Sequence, residues 1–405
     1  MIVENRLRYN FRAASAAMVA ALAVTTAGQA RADACSSLMN PVYVSGSSAV
    51  KPFAAKVAAE LRQLDPPITL IYQGPGSCVG VDYLTKDPPP ALAATGTIFD
   101  NDGKEITGGC TVSSDTLADI GVSDVYASSC GVETLPSGVT DFYGPVQTMT
   151  FVVPKASTQT IISAEAAYLV YGLGMAGEAT PWVDEMHIQQ RSATSGTQQM
   201  IAAAIKVPAA KFKGNSNAGS GNVVTSLTTS AGLGADVAEK AIGILSTDLA
   251  DINRDKFSVL GYQHYGQSCA YWPDSSVTSF DKANVRDGHY EIWGPLHMLA
   301  RTSGGNVANE HVKKVIDYLT GVETPTSFDL IQVEAKGGVV PGCAMRVQRT
   351  KDAGAMMSFM PEKSCECKFI KEATGATPDG CTACEQNTDC PSDKSVCNFK
   401  FCEVQ

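Results

Sequence analysis

Three segments far apart in the chain each gather small residues and hydroxyls just ahead of a helix-like run. They are GSSAVKP at Gly46 to Pro52, YQGPGSCVG at Tyr72 to Gly80, and RSATSGT at Arg191 to Thr197. The first N–H groups of a helix have no intrahelical acceptor, and the helix dipole places partial positive charge at the same end. Donors gathered in this way suit an anion. Between the second and third segments, LADIGVSDVYAS puts Asp124 after a strand-like run. A carboxylate beside anion donors makes sense only when the anion carries a proton to share with it. Taken singly, each cluster also reads as an ordinary capped helix, and Asp124 as a turn aspartate. RSATSGT is the most specific, because Arg191 offers a planar cationic fork while Ser195, Gly196 and Thr197 add two hydroxyls and unobstructed backbone.

The elements that must position these residues alternate between strand and helix. Val42 to Val44 reads as a strand, and Ser47 or Ser48 caps a helix through Phe53, Val57 and Leu61. Ile68 to Tyr72 and Ala118 to Val122 are further apolar runs, and Val79 to Leu84 follows the GPGS turn. Such alternation implies a mostly parallel sheet with ligands beyond the carboxyl ends of its strands, where all three polar clusters fall. PVQTMTFVVP, Pro145 to Pro154, is the first candidate for a hinge, and Tyr290 to Ala300 reads as a return strand followed by a helix at His311 to Leu319. The expected organisation is a signal peptide over residues 1–34, a first lobe over 35–148 with a return part over 293–345, a second lobe over 149–292, and a linker with a cysteine-rich tail over 346–405.

The chain has 405 residues and a formal net charge of -10, which argues against a nucleic-acid partner. It leaves a small anion open, because local N–H groups and one arginine can hold an oxyanion in an acidic molecule. Arg6, Arg8 and Arg12, the apolar run Ala13 to Val24, and the small residues Ala30, Ala32 and Ala34 read as an export signal. Thirteen cysteines in an exported chain point to disulfides. Cys78 and Cys110 stand where they could close the Pro-, Gly- and Asp-rich stretch from Pro88 to Gly109, although spacing leaves the connectivity open. The odd total leaves one cysteine over; lipid attachment at Cys35 would leave an even set, but the flanking residues favour simple cleavage near Ala32 or Ala34. The tail has too few aliphatic residues for a core of its own, so disulfides must hold it.

YQGPGSCVGV, the aspartate of GVSD, and RSATSGT with its helix resemble, in order and spacing, the phosphate-binding proteins of bacterial phosphate ABC transporters. GSSAVKP is similar to their first ligand loop and GHYEIWGPL to their return strand. The resemblance covers roughly Pro41 to Gly342 in pieces and not the tail. It implies an α/β, two-lobed periplasmic-binding-protein fold joined by a two-strand hinge, with the disulfide-rich tail appended. It also implies an exported, periplasmic or cell-surface monomer that captures phosphate, or a related oxyanion such as arsenate or a phosphate ester, for a membrane ABC permease. No covalent chemistry, cofactor or metal is implied. Carried over, Ser77, Asp124, Arg191, Ser195, Gly196 and Thr197 would touch the anion, with Ser48 and the backbone N–H groups of Ala49 and Val50. Ala49 replaces the family's usual threonine, and Ala193 stands where many members have an aspartate beside the arginine.

Two other readings compete. A secreted hydrolase would use Gly266 to Ala270 as a nucleophile elbow with His264, His289 or His297 as base. Its last small residue is Ala, half-cystine character would account for Cys269, and the chain has only 5 histidines. An extracellular interaction or sensory protein on the same fold, with another oxyanion, is motivated by the tail. Its cysteines Cys381, Cys384, Cys390, Cys397 and Cys402 would bind zinc in another compartment but are expected to form disulfides in an exported chain.

Overall fold

The computed structural model describes residues 33–323 and 325–404, so the export signal lies outside the described residues apart from its last two positions. A nine-stranded sheet organises the chain. Strands β1 (Pro41–Gly46), β2 (Thr69–Gln73) and β3 (Ile120–Ser123) are parallel, with β1 between the other two. Helices α1 (Lys51–Leu61) and α2 (Ser77–Thr85) connect them. On α1, Phe53, Val57 and Leu61 recur every four residues and are buried against Val42, Val44, Leu70 and Val122.

The long strand β4 (Val139–Pro154) changes partners along its length. The second set of elements comprises β5 (Ile188–Arg191), α3 (Gly196–Ile205), β6 (Asn215–Asn217), α4 (Ser220–Gly232), β7 (Ile242–Ser246), β8 (Phe257–Val259) and β9 (Trp293–Arg301). From Val139 to Thr148, β4 pairs antiparallel with β9, and from Met149 onward with β7 and then β8. The sheet order is therefore β2-β1-β3-β9-β4-β7-β5-β6, with β8 also on β4. β4 begins well before the expected Pro145. Residues 139–144 are partly exposed, so they carry no apolar run for the sequence to show. The second core gathers Phe151, Ile188, Ile201, Ile205, Ile244 and Trp293. Helices α5 (Glu310–Thr320) and α6 (Leu330–Gly337) return to the first core through Val312, Val315, Ile316 and Val333.

The cysteines decide two points that spacing left open and correct one expectation. Cys78 does not pair with Cys110: the bonds are Cys35–Cys110 and Cys78–Cys130. The short strands Thr95–Gly96 and Cys110–Thr111 pair antiparallel, and Gly96 packs beside both the Cys35 and Cys110 sulfurs, which brings these two together. Cys35 is fully buried and its sulfur is already bonded, so it has none left for a lipid thioether. The unpaired thiol is instead Cys269, which is exposed and not a half-cystine.

In the tail, Cys343–Cys365, Cys367–Cys381, Cys384–Cys397 and Cys390–Cys402 are bonded. Sulfurs of Cys384, Cys390 and Cys402 lie within 4.8 Å of one another, but each is committed to a disulfide, which leaves no thiolate for zinc. Helix α7 (Glu366–Thr374) ties the tail to α6 through Lys368–Asp329 at 2.7 Å and Gln332–Glu372 at 2.7 Å, and Phe369 enters the second core. Titration of the folded, unreduced protein with Ellman's reagent should find one thiol per chain, and Cys269→Ser should abolish it. Two or more reactive thiols would contradict this pairing.

Candidate functional site

The four polar segments meet at the carboxyl ends of β1, β3 and β5. Gly46 closes β1 with φ +148°, and a Cβ there would sit 1.9 Å from the Val122 carbonyl oxygen, so only glycine lets the chain turn this close to β3. In the turn that follows, Ser47 Oγ accepts from the N–H groups of Ala49 at 3.0 Å and Val50 at 3.4 Å and donates to Asp124 Oδ2 at 2.6 Å. The two N–H groups expected at an anion are thus turned to Ser47 in this structure. Ser77, the first residue of α2, donates to Asp124 Oδ2 at 3.0 Å and accepts from the Asp124 N–H at 3.2 Å.

The RSATSGT segment reaches the same point from β5. The Cys78 N–H donates to the Thr194 carbonyl at 3.0 Å, locking the two loops together. Gly196 packs so closely that a Cβ would lie 2.2 Å from Ser77 Oγ and 2.5 Å from Asp124 Oδ2. Ser195 is the N-cap residue of α3 without a side-chain cap bond, which leaves the opening amides of that helix uncapped by it. Ser77, Asp124, Arg191, Ser195 and Thr197 are all buried, as are Ala49 and Val50, while Ser48 is half-buried.

Arg191 is 1 % exposed, yet its guanidinium is held only by neutral oxygens. Nε donates to the Asn217 carbonyl at 3.2 Å, one terminal nitrogen to Ser220 Oγ at 2.6 Å, and the other to Ser48 Oγ at 3.0 Å and the Ala218 carbonyl at 3.1 Å. Among the described residues no carboxylate forms an ion pair with it. Ala193, where the resembling family has an aspartate, offers only its carbonyl, which accepts from Gln199. Burial draws the Arg191 pKa down to about 10, which keeps it a cation at neutral pH. Burial pushes Asp124 up to about 6, against the Ser47 and Ser77 hydrogen bonds and the Arg191 charge that favour its ionised form.

Two buried atoms at the site have no protein partner, Asp124 Oδ1 and Thr197 Oγ1. An unpaired buried polar group costs about 1–3 kcal/mol, so this pair is suited to a ligand that both donates and accepts. Ser47, Asn217 and Ser220 escaped the sequence reading as contacts of the site. Ser47 lies inside the flagged first loop, whereas Ser220 opens α4 and reaches Arg191 only through a contact between segments distant in sequence. Of the three histidines weighed as bases, His264 meets Tyr262 at 2.9 Å, His289 meets Asp287 at 2.8 Å, and His297, opposite Ser123 in the sheet, meets Asp141 at 2.8 Å. None of these partners is a nucleophile of the Gly266 to Ala270 segment.

No protein-family model matches the chain, and no curated sequence does. Solved structures do. A protein assigned as a phosphate ABC transporter substrate-binding protein, with bound phosphate, from Clostridium perfringens is 15% identical over 75% of this chain and 99% of its own, with a TM-score of 0.51. An ABC-type phosphate transport receptor from Vibrio cholerae is 14% identical over 75% of this chain and 100% of its own, at 0.47. A reduced OxyR from N. meningitidis is 8% identical over 74% of this chain and 98% of its own, at 0.40. At such identities the likeness establishes the fold alone, and it does so through the first of the three, the one with a TM-score above 0.5. The fold is that of periplasmic binding proteins, with a disulfide-rich region added at the C-terminus.

The buried carboxylate has a pH signature. Folded Asp124 keeps its proton up to about pH 6, whereas in the unfolded chain it loses it near the ordinary 3.8. Between those values the folded state binds more protons, so stability is greatest below the unfolded value and falls as pH rises through this window. Asp248, pushed up to about 7 by burial, acts in the same direction but is common to parent and variant. Ligand-free Asp124→Asn should therefore gain on the parent by on the order of 2–3 kcal/mol between about pH 4 and pH 6.5 in urea unfolding. A difference independent of pH would contradict the assignment.

Proposed function

We propose that the chain is an exported solute-binding protein that closes on phosphate and passes it to a membrane ABC permease. One lobe would comprise residues 35–148 and 293–345, the other 149–292, with the crossings of β4 and β9 as the hinge. The observation that carries this reading is the buried Arg191 cation without a carboxylate partner, set among the same loops as a buried carboxylate with a free oxygen. Burying a cation this way costs several kcal/mol unless an anion joins it. The presence of Asp124 then selects among anions. Phosphate near neutral pH retains a proton and donates it to a carboxylate oxygen, whereas sulfate has none and meets repulsion. Ser48, Ser77, Ser195 and Thr197, with the backbone of Ala49, Val50 and Gly196, would supply the remaining contacts. Engaging the Ala49 and Val50 N–H groups would require Ser47 Oγ to give them up.

Calorimetric titration tests both charged residues. Arg191→Ala should weaken phosphate binding by about 100-fold or more, because a buried charge-assisted contact is lost. Parent-like affinity would remove Arg191 from the site. Asp124→Asn is expected to narrow the preference for phosphate over sulfate by at least about tenfold, and an unchanged ratio would refute proton sensing.

A further inference from the structure

The C-terminal region opens with a short hairpin. Val347–Gln348 and Met357–Ser358 pair antiparallel, and the Cys343–Cys365 bond closes the base. That base rests on the second core, which Ala344 and Met345 enter. There the Arg346 N–H donates to the Arg286 carbonyl at 2.8 Å, and Glu366 Oε1 meets Arg286 at 3.0 Å and Arg346 at 2.6 Å. Gly288 lies so close to the hairpin that a Cβ would stand 2.8 Å from Met356 Sδ and 3.2 Å from the Val347 side chain. Arg349 lies 4.1 Å over the Trp293 ring at the start of β9 and donates to the Glu291 carbonyl at 3.1 Å and Glu291 Oε2 at 3.2 Å.

The tip of the hairpin reaches the first half of the chain. Asp352 Oδ2 accepts from the Tyr126 N–H at 3.0 Å and from Ser129 Oγ at 2.6 Å, while the Tyr126 hydroxyl donates to the Arg349 carbonyl at 2.6 Å. This turn starts two residues after Asp124, and Val125 between them packs into the second core. The structure therefore describes the fastened arrangement. The two ends of the hairpin are unequal. A covalent bond, ion pairs and a cation over an aromatic ring hold the base, whereas three hydrogen bonds hold the tip. A released tip stays tethered close to its dock, so refastening needs little conformational search. The tip is consequently the end that opens.

We propose that this hairpin is a strap, fastened at Asp352, that holds the two proposed lobes together beside the β9 crossing and keeps the ligand-free chain closed. The inference rests on the two-lobed reading given above; the contacts themselves do not depend on which anion binds. A strap of this kind raises the fraction of chains competent to hold the anion, and its loss lowers the apparent affinity by the same fraction.

Small-angle X-ray scattering of the folded, oxidised chain without ligand is the test. Asp352→Ala should enlarge the radius of gyration relative to the parent, and phosphate should return it to the parent value with an affinity about tenfold weaker. A merely local loss of packing would not produce an expansion that ligand reverses. Glu385→Gln, which breaks only an exposed pair with Lys400 at 3.0 Å within the tail, should leave the radius unchanged. Should circular dichroism show that Asp352→Ala is unfolded, Tyr126→Phe combined with Ser129→Ala removes two of the three bonds at the tip and should expand the ligand-free chain in the same direction. A parent-like radius in the folded variant would overturn the proposal, as would an equal expansion in Glu385→Gln. The ligand-free comparison decides the strap even where the parent fails to bind phosphate.

Discussion

A guanidinium buried among neutral oxygens is the constraint around which the first- and second-half loops are arranged. Arg191 leaves the end of β5 and reaches Ser48 on the first loop and Ser220 at the start of α4, so one side chain joins three elements that are distant in sequence. Its charge is not neutralised by a directly bonded carboxylate. Asp124 is the nearby compensating charge, and its own burial raises its pKa because it too lacks water. Each group is therefore incompletely satisfied, and each is held in place by contacts that do not discharge it. That arrangement costs stability and is retained by tight packing, seen where Gly196 approaches Ser77 and Asp124 with no space for a Cβ.

The strands that carry this arrangement are the two long ones. β4 exchanges β9 for β7 between Thr148 and Met149, so a single backbone belongs to both parts of the sheet. Bending at such a crossing would move the Arg191 loop relative to Ser77 and Asp124 without unfolding either core. The tail adds a further tie on one side. Asp352 accepts from the Tyr126 N–H at 3.0 Å and from Ser129 Oγ at 2.6 Å, bracing the turn that directly follows Asp124.

Much of the architecture was legible because its signals are local. Phe53, Val57 and Leu61 mark one helix face, and glycine turns after short apolar runs mark the ends of β1 and β2. The convergence of GSSAV, GPGS, Asp124 and RSATSGT was legible from their common placement at strand ends, and the contacts of Ser77 and Gly196 with Asp124 bring three of these segments together. Other features depend on contacts between distant residues. The start of β4 is half-exposed and shows no apolar run, Ser220 meets Arg191 from a helix distant in sequence, and Ser47 was visible as a cap but not as the residue that engages Asp124. Disulfide pairing likewise follows from which strands and turns become neighbours, which is why Cys110 found Cys35 rather than Cys78.

The proposed function requires that Arg191 and Asp124 together recognise an anion that carries a proton. Calorimetric titration of the ligand-stripped, oxidised chain with phosphate, and separately with sulfate, at neutral pH measures this directly. Tight, equimolar phosphate binding with no sulfate response is the predicted result; equal binding of the two anions, or of neither, would contradict it.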